Sequence, residues 1–488
     1  MSEISNLQVA QIEEIVRKVL HTIGNANPES IKKDFSSTGY NGRNFVGIYS
    51  DMNQAIDAAS KAYRAVREMS VEQREKIITA IRELTRNEAH IMAELGVRET
   101  GMGKVEHKRL KHLLVADKTP GTEDLVTSAK TGDHGLTLVE MAPYGVIGSI
   151  TPSTNPSETV ICNSIGMLAA GNSVVFNPHP NAVATSNYAV DLVNRASKMA
   201  GGPEVLVVSM DKPTLESAAI MQSHPAIKLL VCTGGPGVVK AVLASGKKAI
   251  CAGAGNPPVI VDETADIKKA AKDIIDGCTF DNNLPCIAEK EVFALRPIKD
   301  ELIREMQKNG AYLINSIQAQ QLASVVLVDV TDKKTGKVKK VINRECVGRD
   351  ADVLLAKIGI NVGKDIRCII CETDFDHIFV QEELMMPILP IVEAANIDEA
   401  IEMAVKAEHG NRHTAHMHSK NIDNLTRFAT AVETTIFVKN APSYAGIGFN
   451  AEGHATFTIA GPTGEGLTSA RSFARQRRCV MADSFRII

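Results

Sequence analysis

"GVIGSITPSTNPSE", residues 145–158, is the stretch on which the fold turns. A short run of apolar and small residues, Gly145 to Ile150, leads directly into a polar turn bracketed by Pro152 and Pro156. A run this short and two-sidedly apolar suits a strand buried in a parallel sheet. The pattern recurs downstream in "SVVFNP" (173–178), "EVLVVS" (204–209), "KLLVCTGG" (228–235), "KAICAG" (248–253) and "PPVIVD" (257–262). Helical segments at 182–199 and 236–245 fall between them and complete βαβ units. A second series follows Cys286: "EVFALRP", "DVLLAK", "RCIICE", "MPILPIVEA" and "TTIFVKN". The pattern predicts two α/β domains in tandem, with Cys286 early in the second.

Upstream of this region the reading changes. Residues 4–23 carry Ile12, Ile15, Val16, Val19, Leu20 and Ile23 at helical spacing, with Glu13, Glu14, Arg17 and Lys18 on the other face. The polar stretch 24–44 reads as a linker. A short amphipathic helix on a linker either folds back on its own domain or docks in a partner's groove. From Ser50 two helices are expected. Ser70-Val-Glu-Gln73 opens the second as a capping box, and Ile77, Ile78, Ile81 and Leu84 repeat at helical spacing.

Composition narrows the class. A chain of 488 residues is too long for one core. A net charge of -3 gives no support for nucleic-acid binding. Mean hydropathy is near zero, and no apolar run approaches the roughly 18–20 residues of a membrane span. The first residues show no basic segment followed by a small-residue cleavage site, so no secretory signal is expected. The nine cysteines are read as reduced thiols, with Cys232, Cys251, Cys368 and Cys371 inside apolar strand-like runs. Cys368 and Cys371 have C-x-x-C spacing but no second pair at ligand spacing, so no metal site is expected.

Three stretches can carry chemistry. In "DNNLPCIAEK" a polar run delivers Cys286 just before a strand, which suits a presented thiol better than a packed one. In "ITPSTNP", Pro156 biases Asn155 away from the α region and helps hold its amide in one direction, as a developing oxyanion requires. An ordinary Asn-Pro turn is the plainer alternative. In "CTGGPGVVKAV" (232–242) a glycine turn opens a helix, a geometry that accepts a pyrophosphate or serves merely to turn the chain.

Taken in order, "ITPSTNP", "FNPHP", "LPCIAEK", "QEELMMPILP" and "GPTGEG" resemble the aldehyde dehydrogenase superfamily from about Asp51 to Phe485, and within it the CoA-acylating branch. The nearest likeness is to the propionaldehyde and acetaldehyde dehydrogenases of bacterial microcompartments. The resemblance implies an α/β fold with two Rossmann-like domains and a small β oligomerisation element. It implies a catalytic thiol at Cys286 and an oxyanion amide at Asn155, with the Cys286 N–H as second donor. It places the cofactor along Thr151, Pro152, Asn177, His179, Thr233, Gly234, Gly235 and Gly253, with Glu383 on the cofactor ribose. Met385-Met386 replaces the usual Phe-Gly after Glu383. NAD, and coenzyme A as co-substrate, follow from the branch.

One departure carries mechanism. Hydrolytic members have a glutamate general base where this chain has Ala252, in Ala252-Gly253-Ala254-Gly255-Asn256-Pro257-Pro258. A general base contributes typically ~10²–10⁴-fold. Without it water attacks a thioester slowly, whereas a thiol needs less help. No residue is singled out to deprotonate Cys286. His179, His413 and His416 are the candidates, and a structural or surface role is the simpler reading of each. A hydrolytic enzyme making free acid and a non-catalytic assembly component are the rival readings.

The expected domains are 1–23, an amphipathic encapsulation helix; 24–44, a linker; 45–252, the cofactor domain with 124–143 as an arm; 253–440, the catalytic domain; and 441–488, a return to the cofactor domain. By resemblance, "GDHGLTLVEMAP" (132–143) and "SARSFARQRRCVMA" (469–482) build the element that pairs subunits into a dimer or tetramer. Residues 4–23 would bind a shell protein or neighbouring cargo. The expected location is the microcompartment lumen in a bacterial cytoplasm.

Overall fold

The computed structural model describes residues 35–331 and 338–485. Residues 4–23 lie outside them. Two parallel sheets organise the chain. The first runs in the order Ala249–Ala252, Ile227–Thr233, Val146–Ile150, Ser173–Asn177, Val207–Met210, Ile48–Tyr49. The second runs Ala311–Ile314, Cys368–Thr373, Ile388–Ala394, Glu291–Leu295, Pro258–Val261, Thr414–His418, Ile436–Lys439.

Burial on both faces explains the two-sided apolar runs. Val174 and Phe176 pack in one core of the first sheet, while Val175 between them packs in the other. The second sheet behaves alike: Cys368 and Ile370 face one core, Ile369 and Cys371 the other. The C-x-x-C pair therefore points to opposite sides of its sheet.

Helix boundaries follow local chemistry. Asp51 accepts the Gln54 N–H at 2.9 Å to start Met52–Glu68, and Ser70 accepts the Gln73 N–H at 3.1 Å to start Val71–Thr100. Left-handed Gly101 ends the long helix. A third helix, Val105–Lys118, packs against it and against Pro156–Ala169.

Two expectations are corrected. "DVLLAK" is a helix, Ala351–Ala356, whose Leu354 and Leu355 are buried. An apolar run of this length does not by itself separate a strand from a buried helical turn. The end of the presumed linker is structured: Phe35–Ser36, Gly39–Tyr40 and Arg43–Asn44 form a small antiparallel sheet. Tyr40 meets Tyr188 edge-on at 5.5 Å, an aromatic contact that fixes this segment on the first domain.

The chain's end pairs with an early strand. Ala474–Ala482 pairs antiparallel with Gly135–Pro143, which pairs with Ser128–Gly132. The resulting three-stranded ribbon is mostly exposed.

Candidate active site

The sheet ends define the site. In the first sheet the chain passes outward from Val146–Ile150 in one direction through Ser173–Asn177, then returns to its other side at Ile227–Thr233. The carboxyl ends of strands flanking such a switch point form a ligand crevice. Thr151, Pro152, Asn177, His179, Thr233, Gly234, Gly235 and Gly253 all lie at that edge. Thr151 N–H donates to the Asn177 carbonyl at 3.4 Å, and the Thr233 and Thr458 hydroxyls pair at 2.9 Å. Asn177 Oδ1 accepts from the Ser217 hydroxyl at 2.9 Å. His179 Nδ1 accepts the Asn181 N–H at 3.1 Å, so His179 acts as a turn cap.

The glycine turn fits a pyrophosphate. A Cβ on Gly235 or Gly237 would meet nothing within 4 Å, so the space over the Pro236–Leu243 helix start is open to a ligand. The buried Thr151 hydroxyl has no hydrogen-bond partner among the described residues.

The second domain faces this edge with the opposite ends of its strands. Gly255, Cys286, Glu383 and His413 precede the strands starting at Pro258, Glu291, Ile388 and Thr414, which are neighbours in the sheet.

Cys286 is delivered by three successive residues with left-handed backbones: Asp281 (φ 50), Asn282 (φ 55) and Asn283 (φ 66). Asn and Asp tolerate this region better than other side chains, yet such positions persist only where their surroundings over-determine them. Here each side chain is tied down. Asp281 accepts the Lys104 N–H at 2.8 Å, while its own N–H donates to His107 Nδ1 at 2.8 Å. Asn282 donates to the Gly348 carbonyl and to Asp350. Asn283 donates to the Cys278 and Glu289 carbonyls and accepts from Lys290 Nζ at 2.6 Å.

Asn155 reaches the site from the first domain, at the cap position before Pro156–Ala169, with Pro156 as first helical residue. Its Oδ1 accepts from Lys111 Nζ at 2.5 Å, and its Nδ2 lies 3.2 Å from the Thr154 hydroxyl. Lys111 Nζ also lies 2.6 Å from Asp281 Oδ2 and 3.0 Å from Glu158 Oε1. One buried ammonium thus joins the amide residue to the loop of the cysteine.

Around the thiol, Gly255 is required by contact. A Cβ there would lie 2.8 Å from the Cys286 carbonyl oxygen and 3.0 Å from His413 Cγ. The Gly255 N–H donates to Glu383 Oε2 at 3.3 Å, and Lys290 Nζ lies 3.9 Å from Glu383 Oε1. Leu114, Ile287, Ile447, Phe457 and Ile459 pack together beside Cys286 as an apolar patch.

Electrostatics follow from this enclosure. Burial pushes the Cys286 thiol up to about 12; the Glu383 charge adds to the rise, while Lys290 and the cysteine's own N–H oppose it. Burial likewise lifts Glu383 to about 7 against the pull of Lys290 and the Gly255 N–H. Burial and then Lys290 lower His413 to about 4. His413 Nδ1 pairs with the Thr414 hydroxyl at 2.8 Å, leaving Nε2 without a partner among the described residues. His416 is different: it is a strand residue inside the sheet, opposite Val259.

Sequence reasoning missed Lys108, Lys111, Asp281, Glu158 and Lys290. Nothing local in "VEHKRLKHLLVADK" shows that two of its lysines meet a carboxylate about 170 residues away.

Comparison with known proteins agrees with this architecture. The aldehyde dehydrogenase family model matches residues 47–453. The chain is 46% identical over 478 residues to "Acetaldehyde dehydrogenase (acetylating) EutE" of Salmonella typhimurium, covering 98% of this chain and 99% of the relative. It is 60% identical, with a TM-score of 0.87, to the structure of a propionaldehyde dehydrogenase from the Clostridium phytofermentans fucose utilisation bacterial microcompartment, covering 91% of this chain and 100% of that one. It is 53% identical, with a TM-score of 0.86, to the Rhodopseudomonas palustris propionaldehyde dehydrogenase solved with bound CoA and an acylated cysteine, covering 90% and 98%. With a cysteine, a fixed amide and an open glycine turn gathered between two parallel sheets, the chain belongs to the aldehyde dehydrogenase family, in its CoA-acylating branch.

Proposed function

We propose that the protein oxidises a short-chain aldehyde to its acyl-CoA, using NAD and CoA, through a thioester on Cys286. The observation that carries the acyl-transfer half is Ala252. Its buried methyl group stands at the end of Ala249–Ala252, where a hydrolytic member needs a carboxylate to activate water.

The thiol rests protonated, so attack on the carbonyl needs a proton acceptor. His413 fills that role: it stays neutral, its Nε2 has no partner among the described residues, and it shares Gly255 as a wall with Cys286. As the sulfur bonds to the carbonyl carbon, Asn155 Nδ2 and the Cys286 N–H hold the oxyanion. The Gly234–Pro236 turn and Glu383 would hold NAD, which would supply the acceptor for the two electrons that leave the thiohemiacetal carbon as hydride. The carbon is then a thioester carbonyl on Cys286. His413 gives the first proton to solvent, then takes the proton of the CoA thiol, whose sulfur displaces the Cys286 sulfur, and returns that proton to the departing Cys286 thiolate. The apolar patch of Leu114, Ile287 and Phe457 suits a short alkyl chain, propionaldehyde or acetaldehyde.

The test follows NADH formation from propionaldehyde. Without CoA, a burst of about one NADH per Cys286 is expected, and with CoA sustained turnover. Sustained NADH and free acid without CoA would mark a hydrolytic enzyme.

Residues 4–23 serve as the segment that takes the enzyme into the lumen of a bacterial microcompartment, by docking on a shell protein or neighbouring cargo. A reporter fused to residues 1–24 should concentrate in compartments; a diffuse signal counts against this. The ribbon of Gly135–Pro143 and Ala474–Ala482 pairs subunits into a dimer or tetramer.

A further inference from the structure

We propose that Lys111 positions and polarises the Asn155 amide, and so sets the strength of the oxyanion site; this rests on Asn155 being the oxyanion donor. The buried Lys111 ammonium donates to Asn155 Oδ1 at 2.5 Å and to Asp281 Oδ2 at 2.6 Å, and pairs as an ion with Glu158 Oε1 at 3.0 Å. An ammonium only donates. It therefore fixes which end of the amide is oxygen and turns the NH₂ end away from itself. An amide whose oxygen accepts from a cation is a stronger donor through its nitrogen, the more so in a low-dielectric interior.

The surroundings support a charged lysine. Burial works against its charge, and Asp281 and Glu158 more than offset that, so the Lys111 pKa is raised. Lys108, one helical turn earlier, lies 3.0 Å from Asp281 Oδ2 and donates to the Thr154 carbonyl at 3.1 Å, just before Asn155. One face of the Val105–Lys118 helix thus holds both the side chain and the backbone of the oxyanion residue. Two lysines balance two carboxylates, and paired charge is the form in which buried ions persist. Lys111 is a positioning residue: it acts on the reaction through the amide and, by way of Asp281, holds the loop that delivers Cys286.

The experiment is a double-mutant cycle on the full-length enzyme with propionaldehyde, NAD and CoA. Asn155→Ala should lower kcat by about 10²–10³-fold, the usual loss for one oxyanion donor. Lys111→Met should lower kcat by roughly 10–100-fold while leaving the KM for NAD unchanged. Alkylation of Cys286 by iodoacetamide develops no oxyanion, so its rate in each variant measures any disturbance passed through Asp281 to the thiol loop, and kcat losses are counted beyond it. In the Asn155→Ala background, Lys111→Met should cost nothing further. A Lys111→Met loss that persists in that background overturns the proposal. Full turnover by Asn155→Ala would instead overturn the oxyanion assignment, so the two failures read apart. Should Lys111→Met not fold, Lys111→Arg carries the same cycle: a loss that vanishes in the Asn155→Ala background supports the proposal, and one that persists overturns it.

Discussion

Lys290 and Glu383 face each other at 3.9 Å, and they pull the Cys286 thiol in opposite directions. Burial is the largest cause of the raised thiol pKa, the Glu383 charge adds to it, and the Lys290 charge opposes it. Glu383→Gln should therefore lower the thiol pKa and speed alkylation by iodoacetamide several-fold at pH 8, where the native carboxyl is ionised. Lys290→Met should slow it. Labelling rates measured across pH in the absence of NAD check both; superimposable profiles for Glu383→Gln and the parent would break the link between these groups.

His413 should act as a neutral base over the whole working range. Its pKa is lowered to about 4 by burial and then by Lys290. The pH profile of kcat should then show no loss from His413 between pH 8 and pH 6. His413→Gln should lower kcat by about 10²–10⁴-fold without altering NAD binding. Stopped-flow NADH formation and cofactor titration separate the two effects. A variant with parental kcat would remove His413 from the mechanism.

Glu289 makes the fold sensitive to alkali. Burial raises it to about 8, against a Ser443 N–H that donates to Oε1 at 2.8 Å. Oε2 has no partner among the described residues. The sign follows from a folded pKa above the unfolded one: the folded state binds the extra proton. Stability tied to Glu289 is full below about pH 4.5 and declines as pH rises to about 8, at up to roughly 1.4 kcal/mol per pH unit. Glu289→Gln should flatten this decline and raise Tm at pH 8 relative to the parent. Thermal unfolding at pH 5, 6.5 and 8 checks it; parallel curves for both proteins would refute it.

The parallel strands from Val146 to Val261 are legible because both faces are buried, which leaves nearly every residue apolar. The strand Thr414–His418 is not, because Thr414, His416 and His418 disguise a fully buried run as polar. The same distinction governs the site. Cys286 and Asn155 stand out through their own neighbours, a polar run and two prolines. His413 reads as one histidine among thirteen until the chain brings it against Gly255. Lys111 has no local signature at all, since its meaning lies in Asp281 and Glu158.

The left-handed run at Asp281–Asn283 belongs by sequence to the second domain. Yet Asp281 is gripped by Lys104, His107, Lys108 and Lys111, all at the Val105–Lys118 helix of the first. The nucleophile is therefore moored to the lobe opposite its own sheet, the lobe that also carries Asn155. If the lobes rock against each other as ligands enter and leave, the thiol and the amide travel together, and their spacing is preserved through every exchange in the cycle.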